Sequence, residues 1–453
     1  MNSTFAATVD ETLATLRRFV EVGDVENALA LLATLQPPDQ AELLDELDDD
    51  SQLTLLPALP PEASADILEE MDDERAAELM AALPTETVIR LVEEMEPDEL
   101  ADLLGEFEPE QAAAVLAGLE DGEEIRPLML HPNDSAGGLM TSEYLALRRR
   151  TTAAAALQAI RDWQPKTDSF SDLFVIDMQG QLCGVVGLRQ LIIAPPNALM
   201  HEIMSPDVVA VTVGTDQETC AQLMSRYSLL ALPVVNPDNI LIGVITIDDV
   251  VEVLEAEATE DIQRLGGAQP LDRPYLDTSI WEVARKRIGW LLLLFVTESL
   301  TGSVLRIFEG EIQAVVALSF FIPLLIGTGG NAGSQTTSTI IRALAVGDVR
   351  LRDGLQAFWH ELRIGLLLAA GMAVVAYGRA LLWGTSADLA LSVSVSILAI
   401  VVWANSLGAL LPLLAFTLNI DPTVVSGPAM STLVDATGLF IYFTIARLIM
   451  GLG

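Results

Sequence analysis

At 453 residues the chain is too long for one hydrophobic core, and its formal charge of −40 excludes a surface made to bind nucleic acid phosphates. The charge is placed unevenly: residues 1–130 carry 34 acidic and 5 basic side chains, 131–270 carry 18 and 8, and 271–453 carry 12 and 11. An acidic front half that attracts cations therefore precedes a nearly neutral, apolar back half. The two cysteines, Cys183 and Cys220, each sit in an apolar patterned segment and read as reduced core residues. No basic leader with an apolar core opens the chain, so the front half is expected in the cytoplasm.

From Gln36 to Glu120 the sequence repeats a unit about twelve residues long, with copies starting at Pro60, Asp72, Pro84, Pro97 and Pro109. Each opens on Pro or an acidic residue, which suits a first helical turn, and then places Ala, Leu, Ile or Met at helical spacing. The expected fold of residues 1–130 is an all-α superhelical array of short stacked helices. Its polar faces carry clustered carboxylates, among them Asp66, Glu70, Asp98 and Asp102, which are solvated or in part shared with a bound cation.

Between His131 and Leu254 strands alternate with helices, and two halves resemble one another. GLMTSEYLALRRRTTAAAALQAI with DLFVIDMQGQLCGVVGLRQLI is followed by EIMSPDVVAVTVGTDQETCAQLM with LLALPVVNPDNILIGVITIDDVV. Turns are expected at Gln179-Gly180 and at Pro237-Asp238-Asn239. Residues 131–254 resemble a tandem pair of α/β CBS domains, a regulatory module that dimerises and senses nucleotides or ions. Arg189 is followed by Gln190 where nucleotide-binding relatives carry Asp, which argues against ATP at this site.

The segment from Asp248 to Gly267 puts Asp249, Glu252, Glu255, Glu257, Glu260 and Asp261 on one continuing helix. Like charges at such spacing repel by a few tenths of a kcal/mol per pair, a repulsion that a hard cation would offset. Carboxylate, carbonyl and water ligands suit Mg²⁺, Ca²⁺ or Mn²⁺; the three histidines, His131, His201 and His360, are too scattered for a softer metal.

Residues 255–284 form a connecting helix and linker, and residues 285–453 an α-helical domain with five expected spans: 288–307, 314–341, 362–383, 389–418 and 426–449. The basic residues Arg285, Lys286, Arg287, Arg342, Arg350, Arg352 and Arg363 fall on the N-terminal side, which places the C terminus outside. The last span carries Asp435 near its middle, where a carboxylate costs roughly 2.5–3.5 kcal/mol and faces a bundle interior or a watery path. A structural pairing of Asp435 with Arg447 is the alternative. The second span holds PLLIGTGGNAGSQTTSTIIRALAVGD, in which Gly327, Gly329, Gly330 and Gly333 permit tight packing or a broken helix, while Asn331, Ser334, Gln335 and Thr336 offer polar lining. Glu298 in the first span is expected to face the interior.

With GTGGNAGSQ in the second span and GPAMSTLVDATGLFIYF in the last, this order of parts resembles the MgtE family of magnesium channels over nearly the whole chain. The resemblance implies a homodimer in a cytoplasmic membrane, with a pore between two copies and Asp435 as its ion-facing carboxylate, flanked by Ser431 and Gly427. It also implies a gate: Mg²⁺ on the cytosolic side bridges Asp66, Asp98 and Asp102 to Asp249, Glu252, Glu257, Glu260 and Asp261, and the connecting helix plugs the pore. Gly427 stands where some relatives carry Asn, and Ser431 where some carry Ala. A secondary carrier for Mg²⁺, Co²⁺ or Mn²⁺ and a membrane-anchored sensor that conducts nothing are the alternatives. An enzyme is not expected, because no nucleophile stands with a base and no phosphate loop has a usable context.

Overall fold

The computed structural model describes residues 2–163, 172–271, 275–276, 278–418, 420–425 and 427–452. It divides into two compact units, residues 1–255 and 256–453.

The first unit begins with ten helices: α1 (Asn2–Val22), α2 (Val25–Leu32), α3 (Pro37–Asp45), α4 (Asp49–Leu55), α5 (Pro61–Glu69), α6 (Asp73–Ala81), α7 (Thr85–Val92), α8 (Pro97–Gly105), α9 (Pro109–Leu116) and α10 (Gly122–Ile125). The N-caps of α2 to α9 fall at residues 24, 36, 48, 60, 72, 84, 96 and 108, one every twelve. Asp24, Asp48 and Asp72 each accept a hydrogen bond from a backbone N–H three residues on. Most of the alternate helices instead begin with Pro, which sets the first-turn φ and lacks only a donor that would go unused. Twelve residues carry the chain through one short helix and a turn, so each helix packs on the second one along: α2 on α4, α3 on α5, α4 on α6, α5 on α7, α6 on α8 and α7 on α9. The array thus begins one copy before Gln36. Its core is made of fully buried leucines and small residues, such as Leu32, Leu44, Leu56, Ile67, Leu68, Ala76 and Val88.

Two small sheets follow. β1 (Ala146–Arg148), β2 (Asp172–Ile176) and β3 (Leu182–Gly187) form the first; β4 (Val211–Thr212), β5 (Ala231–Val235) and β6 (Leu241–Thr246) form the second. Both run parallel and then antiparallel, and both shift register at the same place, between Val175 and Ile176 and between Val234 and Val235. The helices α11 (Ala153–Asp162), α12 (Leu188–Ile193), α13 (Met200–Ile203) and α14 (Gln217–Tyr227) accompany them. Gly184 and Gly243, equivalent positions in β3 and β6, leave room for Met204 and Met140: a Cβ on either would stand 2.5 Å from the methionine sulfur. The two expected turns are present, with Gly180 and Asn239 at positive φ. Cys183 and Cys220 are both free thiols.

α15 (Ile247–Leu265) carries all six acidic residues expected on one helix. Beyond it, five helices are long and apolar enough to cross a membrane: α16 (Ile280–Ile307), α18 (Ile322–Ala345, entered through a 3₁₀ stretch at Val316–Phe321), α19 (Gly354–Leu382), α20 (Ala387–Thr417) and α21 (Gly427–Met450). A short α17 (Glu309–Ala314) joins the first two, so Ala314, the expected start of the second span, lies outside it. Ser426, the expected start of the last span, is outside the described residues. α18 is a continuous helix through its glycines rather than a broken one, because those glycines serve contact: α18, α20 and α21 pack on one another, α19 packs on α20, and α16 on α21.

Candidate ion pathway and acidic cluster

In the second unit α18 has two unlike faces. Gly329, Gly330, Gly333, Thr336, Thr337 and Ile340 are buried. A Cβ on Gly329 would stand 2.6 Å from Ile400 and 2.8 Å from Val434, one on Gly330 2.4 Å from the Ser431 hydroxyl, and one on Gly333 2.8 Å from Met430. Ser334 donates to the carbonyl of Gly427 at 3.2 Å. These pairs run in opposite chain directions, so α18 and α21 are antiparallel, and continuing the register brings Asp435 level with Gly327. The other face carries Gly327, Asn331, Gln335, Ser338, Thr339 and Arg342, all exposed in the single chain. Residues three and four apart share a helix face, so this is one polar stripe along a membrane helix.

Of the residues expected to line a path, Gly327 and Asn331 lie on that stripe. Thr336 does not: it is buried against α20, 3.1 Å from where a Cβ on Gly408 would lie. Gly330 is likewise a packing position, seated against Ser431. Asp435 and Ser431 are half-buried on α21, and Gly427 opens that helix. Glu298 on α16 is a charge near Asp435. Glu298 is exposed in the single chain rather than interior, because α16 packs on the rest of the unit along one edge and leaves most of its surface uncovered. Arg447 pairs with Glu311 at 3.8 Å, so the structural pairing with Asp435 is not formed. Beside Asp435, a cleft of about 450 Å³ is lined by Val304, Trp403, Ala436, Thr437, Phe440 and Ile441. At this cleft the Trp403 indole donates to the Thr437 hydroxyl at 2.9 Å.

At the other end of α18 a second set gathers. Asp261 is held above its ordinary range by partial burial and by the nearby carboxylates of Asp421 and Glu260, while Arg264 and Arg342 oppose the shift. Arg264 forms ion pairs with both Glu260 and Asp421. Glu257 lies half-buried one turn before Asp261.

The first unit holds the densest acidic group. Asp98 on α8 is 5% exposed, and its Oδ1 has no hydrogen-bond partner among the described residues. Burial, then the charges of Asp249 and Glu96, push Asp98 well above the usual carboxylate range. Glu99 is raised to about 10 by burial and by Asp98, Asp249, Glu252 and Asp73. Asp102 is raised to about 7 by burial and by Asp73, Asp249 and Glu106. Asp73 and Asp249 are each raised to about 6, again mainly by burial, although Thr246 donates to Asp249 at 2.6 Å from its hydroxyl. Glu252 and Glu70 are raised for the same reason. Every shift has the same sign because burial raises each group and their like charges add to it.

The cluster therefore joins Asp98, Asp102, Asp249 and Glu252 with Glu99 and Asp73, two residues the sequence did not single out. Asp66 is exposed on α5, while Glu257, Glu260 and Asp261 belong to the second unit. Among the described residues no three Asp, Glu, His or Cys side chains converge closely enough to hold one metal ion, so the carboxylates are gathered without forming a ligand sphere. Gln190 uses its side chain to accept from the Gly187 N–H at 3.1 Å, closing the first turn of α12.

Comparison with known proteins agrees with this layout. The profile of the MgtE divalent cation transporter domain matches residues 322–445, that of the MgtE intracellular N domain residues 35–134, and that of the CBS domain residues 200–256. The magnesium transporter MgtE of Thermus thermophilus is 43% identical over 327 residues, covering 72% of each chain. The protein of the same name from Bacillus subtilis is 32% identical over 322 residues, covering 71% of each. Among solved structures, the cytosolic domain of the Mg²⁺ channel MgtE in complex with ATP superposes with a TM-score of 0.51 at 34% identity, covering 53% of this chain and 99% of that one. With its N domain, CBS pair and five membrane helices in this order, the chain belongs to the MgtE family of divalent cation transporters.

Proposed function

We propose that the protein is a Mg²⁺ channel for magnesium uptake, working as a homodimer in the cytoplasmic membrane, and that Mg²⁺ on the side of its soluble domains closes it. The observation that carries this reading is the polar stripe of α18 with Asp435 at its level. A membrane helix that exposes Asn331, Gln335, Ser338 and Arg342, beside a carboxylate, needs water or a second protein surface against it. A second copy facing the first across these stripes supplies both, and brings two Asp435 carboxylates to one path, with Ser431, Gly427 and Gly327 beside them. Mg²⁺ sheds water reluctantly and keeps several waters when bound, so a wide polar passage with two carboxylates suits the hydrated ion. The exposed Glu298 fits the same arrangement, since a carboxylate on a membrane helix is costly against lipid.

For closure, the acidic cluster of the first unit supplies the sensor. Carboxylates pushed up by burial and by one another gain most from a cation. Asp98, Asp102, Asp249 and Glu252 would close around Mg²⁺, joined by Glu257, Glu260 and Asp261 further along α15 and by Asp66 on the N-terminal array. Loss of the ion restores their repulsion and releases α15, the plug, from the pore. In this reading residues 1–130, 131–254, 255–284 and 285–453 act as sensor array, CBS pair, plug segment and pore, the soluble parts lie in the cytoplasm and the C terminus outside. The test is Mg²⁺ flux into proteoliposomes for the wild type and Asp435→Asn, with Mg²⁺ varied on the face bearing the soluble units. Flux that falls as that Mg²⁺ rises, and is reduced at least about a hundredfold in the variant, agrees with the reading; the hundredfold corresponds to ~3 kcal/mol of lost ion stabilisation. Undiminished flux in Asp435→Asn refutes it.

A further inference from the structure

Arg264 is shared between two carboxylates of different kinds. Glu260 lies one turn back on α15 itself, an ordinary i,i+4 partner. Asp421 is 157 residues away in sequence, on the segment between α20 and α21. Asp421 is itself fixed, because its Oδ1 accepts from the Thr423 N–H at 2.8 Å and caps the turn Pro422–Val424. That turn leads into Gly427, the first residue of α21. A Cβ on Gly427 would lie 3.9 Å from the carbonyl oxygen of Leu265, the residue after Arg264. Gly427 in turn is held to α18 through Ser334. The end of α15, the Asp421 turn, the start of α21 and the middle of α18 thus form one connected series, joined across helices by the ion pair of Arg264 with Asp421. Against partial burial, which raises it, Asp421 is held below its ordinary value first by Thr423 and then by Arg264.

We infer that the Arg264–Asp421 ion pair is a positioning device that seats the end of α15 at the start of α21 without any divalent cation, and so sets how much Mg²⁺ closure requires. The inference rests on the reading of α15 as the closing element. Acidic residues hold α15 closed only while a cation neutralises them; Arg264 acts with the opposite sign and needs no ion. The two also reinforce one another. A cation taken up by Glu260 and Asp261 frees Arg264 from Glu260 and leaves it wholly to Asp421. When the end of α15 leaves α21, Arg264 keeps Glu260 and Asp421 loses its partner. The pair is partly exposed, 40% and 34% for the two side chains, which places its strength near the upper end of surface ion pairs.

The experiment measures Mg²⁺ flux of the full-length protein in proteoliposomes against Mg²⁺ on the face bearing the soluble units, for the wild type, Arg264→Gln, Asp421→Asn, the double variant and Arg264→Lys. Each neutral single variant should raise the Mg²⁺ needed for half-closure about fivefold and leave the flux in Mg²⁺-free solution at the wild-type level or above it. The double variant should match the singles rather than multiply them, since one joint is broken in all three. Arg264→Lys, which keeps the charge, should stay within about twofold of the wild type and guards against misfolding of the others. Wild-type half-closure retained in both neutral variants, or shifts that multiply in the double, would overturn the pair while leaving closure by Mg²⁺ intact. A conducting wild type that Mg²⁺ does not close would overturn the closing role of α15 itself, and this inference with it.

Discussion

Replacing Glu99 by Gln tests whether the acidic cluster is held together against its own charge. Glu99 ordinarily ionises near 4.5, and in the folded first unit burial and its acidic neighbours raise it to about 10. At neutral pH it is therefore protonated when folded and ionised when α8 opens to water. A group whose folded value is raised contributes stability that is fully present below the unfolded value and is lost as pH rises towards the folded one. From 4.5 to neutral pH this loss amounts to ~3 kcal/mol at about 1.4 kcal/mol per pH unit. Glu99→Gln removes the proton equilibrium while keeping size and shape. Hydrogen exchange of the α8 amides in the full-length protein, corrected for intrinsic rates, is the measurement. Without divalent cations at neutral pH the variant should raise the opening free energy of α8 by ~3 kcal/mol, and at pH 5 by less than ~1 kcal/mol, because pH 5 lies only about half a unit above the value at which Glu99 ionises in the opened state. Mg²⁺ should slow α8 exchange in the wild type and have a smaller effect in the variant. An α8 exchange rate that is the same in both proteins at neutral pH would refute the argument that burial and like charge dominate at this position.

The glycines of the membrane bundle separate by what faces them. Gly408→Ala meets the carbonyl oxygen of Gly333 at 2.6 Å, a backbone atom that cannot turn aside, and should lower stability in detergent by ~1–3 kcal/mol. Gly330→Ala meets the Ser431 hydroxyl, which can rotate, and should cost less than ~1 kcal/mol; the thermal midpoints of the two variants measured side by side decide the point. Asn405 is 1% exposed, and neither its Oδ1 nor its Nδ2 has a hydrogen-bond partner among the described residues. Asn405→Leu, similar in volume, removes that penalty and should raise stability by ~1–3 kcal/mol, with Mg²⁺ flux retained; a fall in the melting midpoint would mean that its amide is satisfied by water.

The parts that were legible in the sequence are those governed by local rules. The copies read from Asp72, Pro97 and Pro109 coincide with helix starts because capping and the proline φ need only a few consecutive residues. The internal likeness of the two CBS modules is a duplicated pattern, and it returns as two sheets with the same order and the same register shift. The acidic cluster was only half legible. Asp98 and Asp102 lie one helical turn apart on α8, which spacing alone reveals. Glu99 and Asp73 join them only through the packing of separate helices, for which no local pattern exists.

In the membrane half the limit is different. Residues 327–339 are small or polar at nearly every position, so the sequence offers no contrast from which to choose a face, and Thr336 reads as well as Asn331 for a lining residue. Packing decides. Gly329, Gly330 and Gly333 are the positions where Ile400, Val434, Ser431 and Met430 come closest, and they carry Thr336 and Thr337 with them into the bundle. What remains uncovered is Gly327, Asn331, Gln335 and Ser338. A single chain leaves that stripe, together with Glu298, facing outwards at membrane depth, where neither satisfies its polar atoms. The same physics that buries the glycines therefore calls for something polar opposite the stripe, which the proposed homodimer would supply from the second copy.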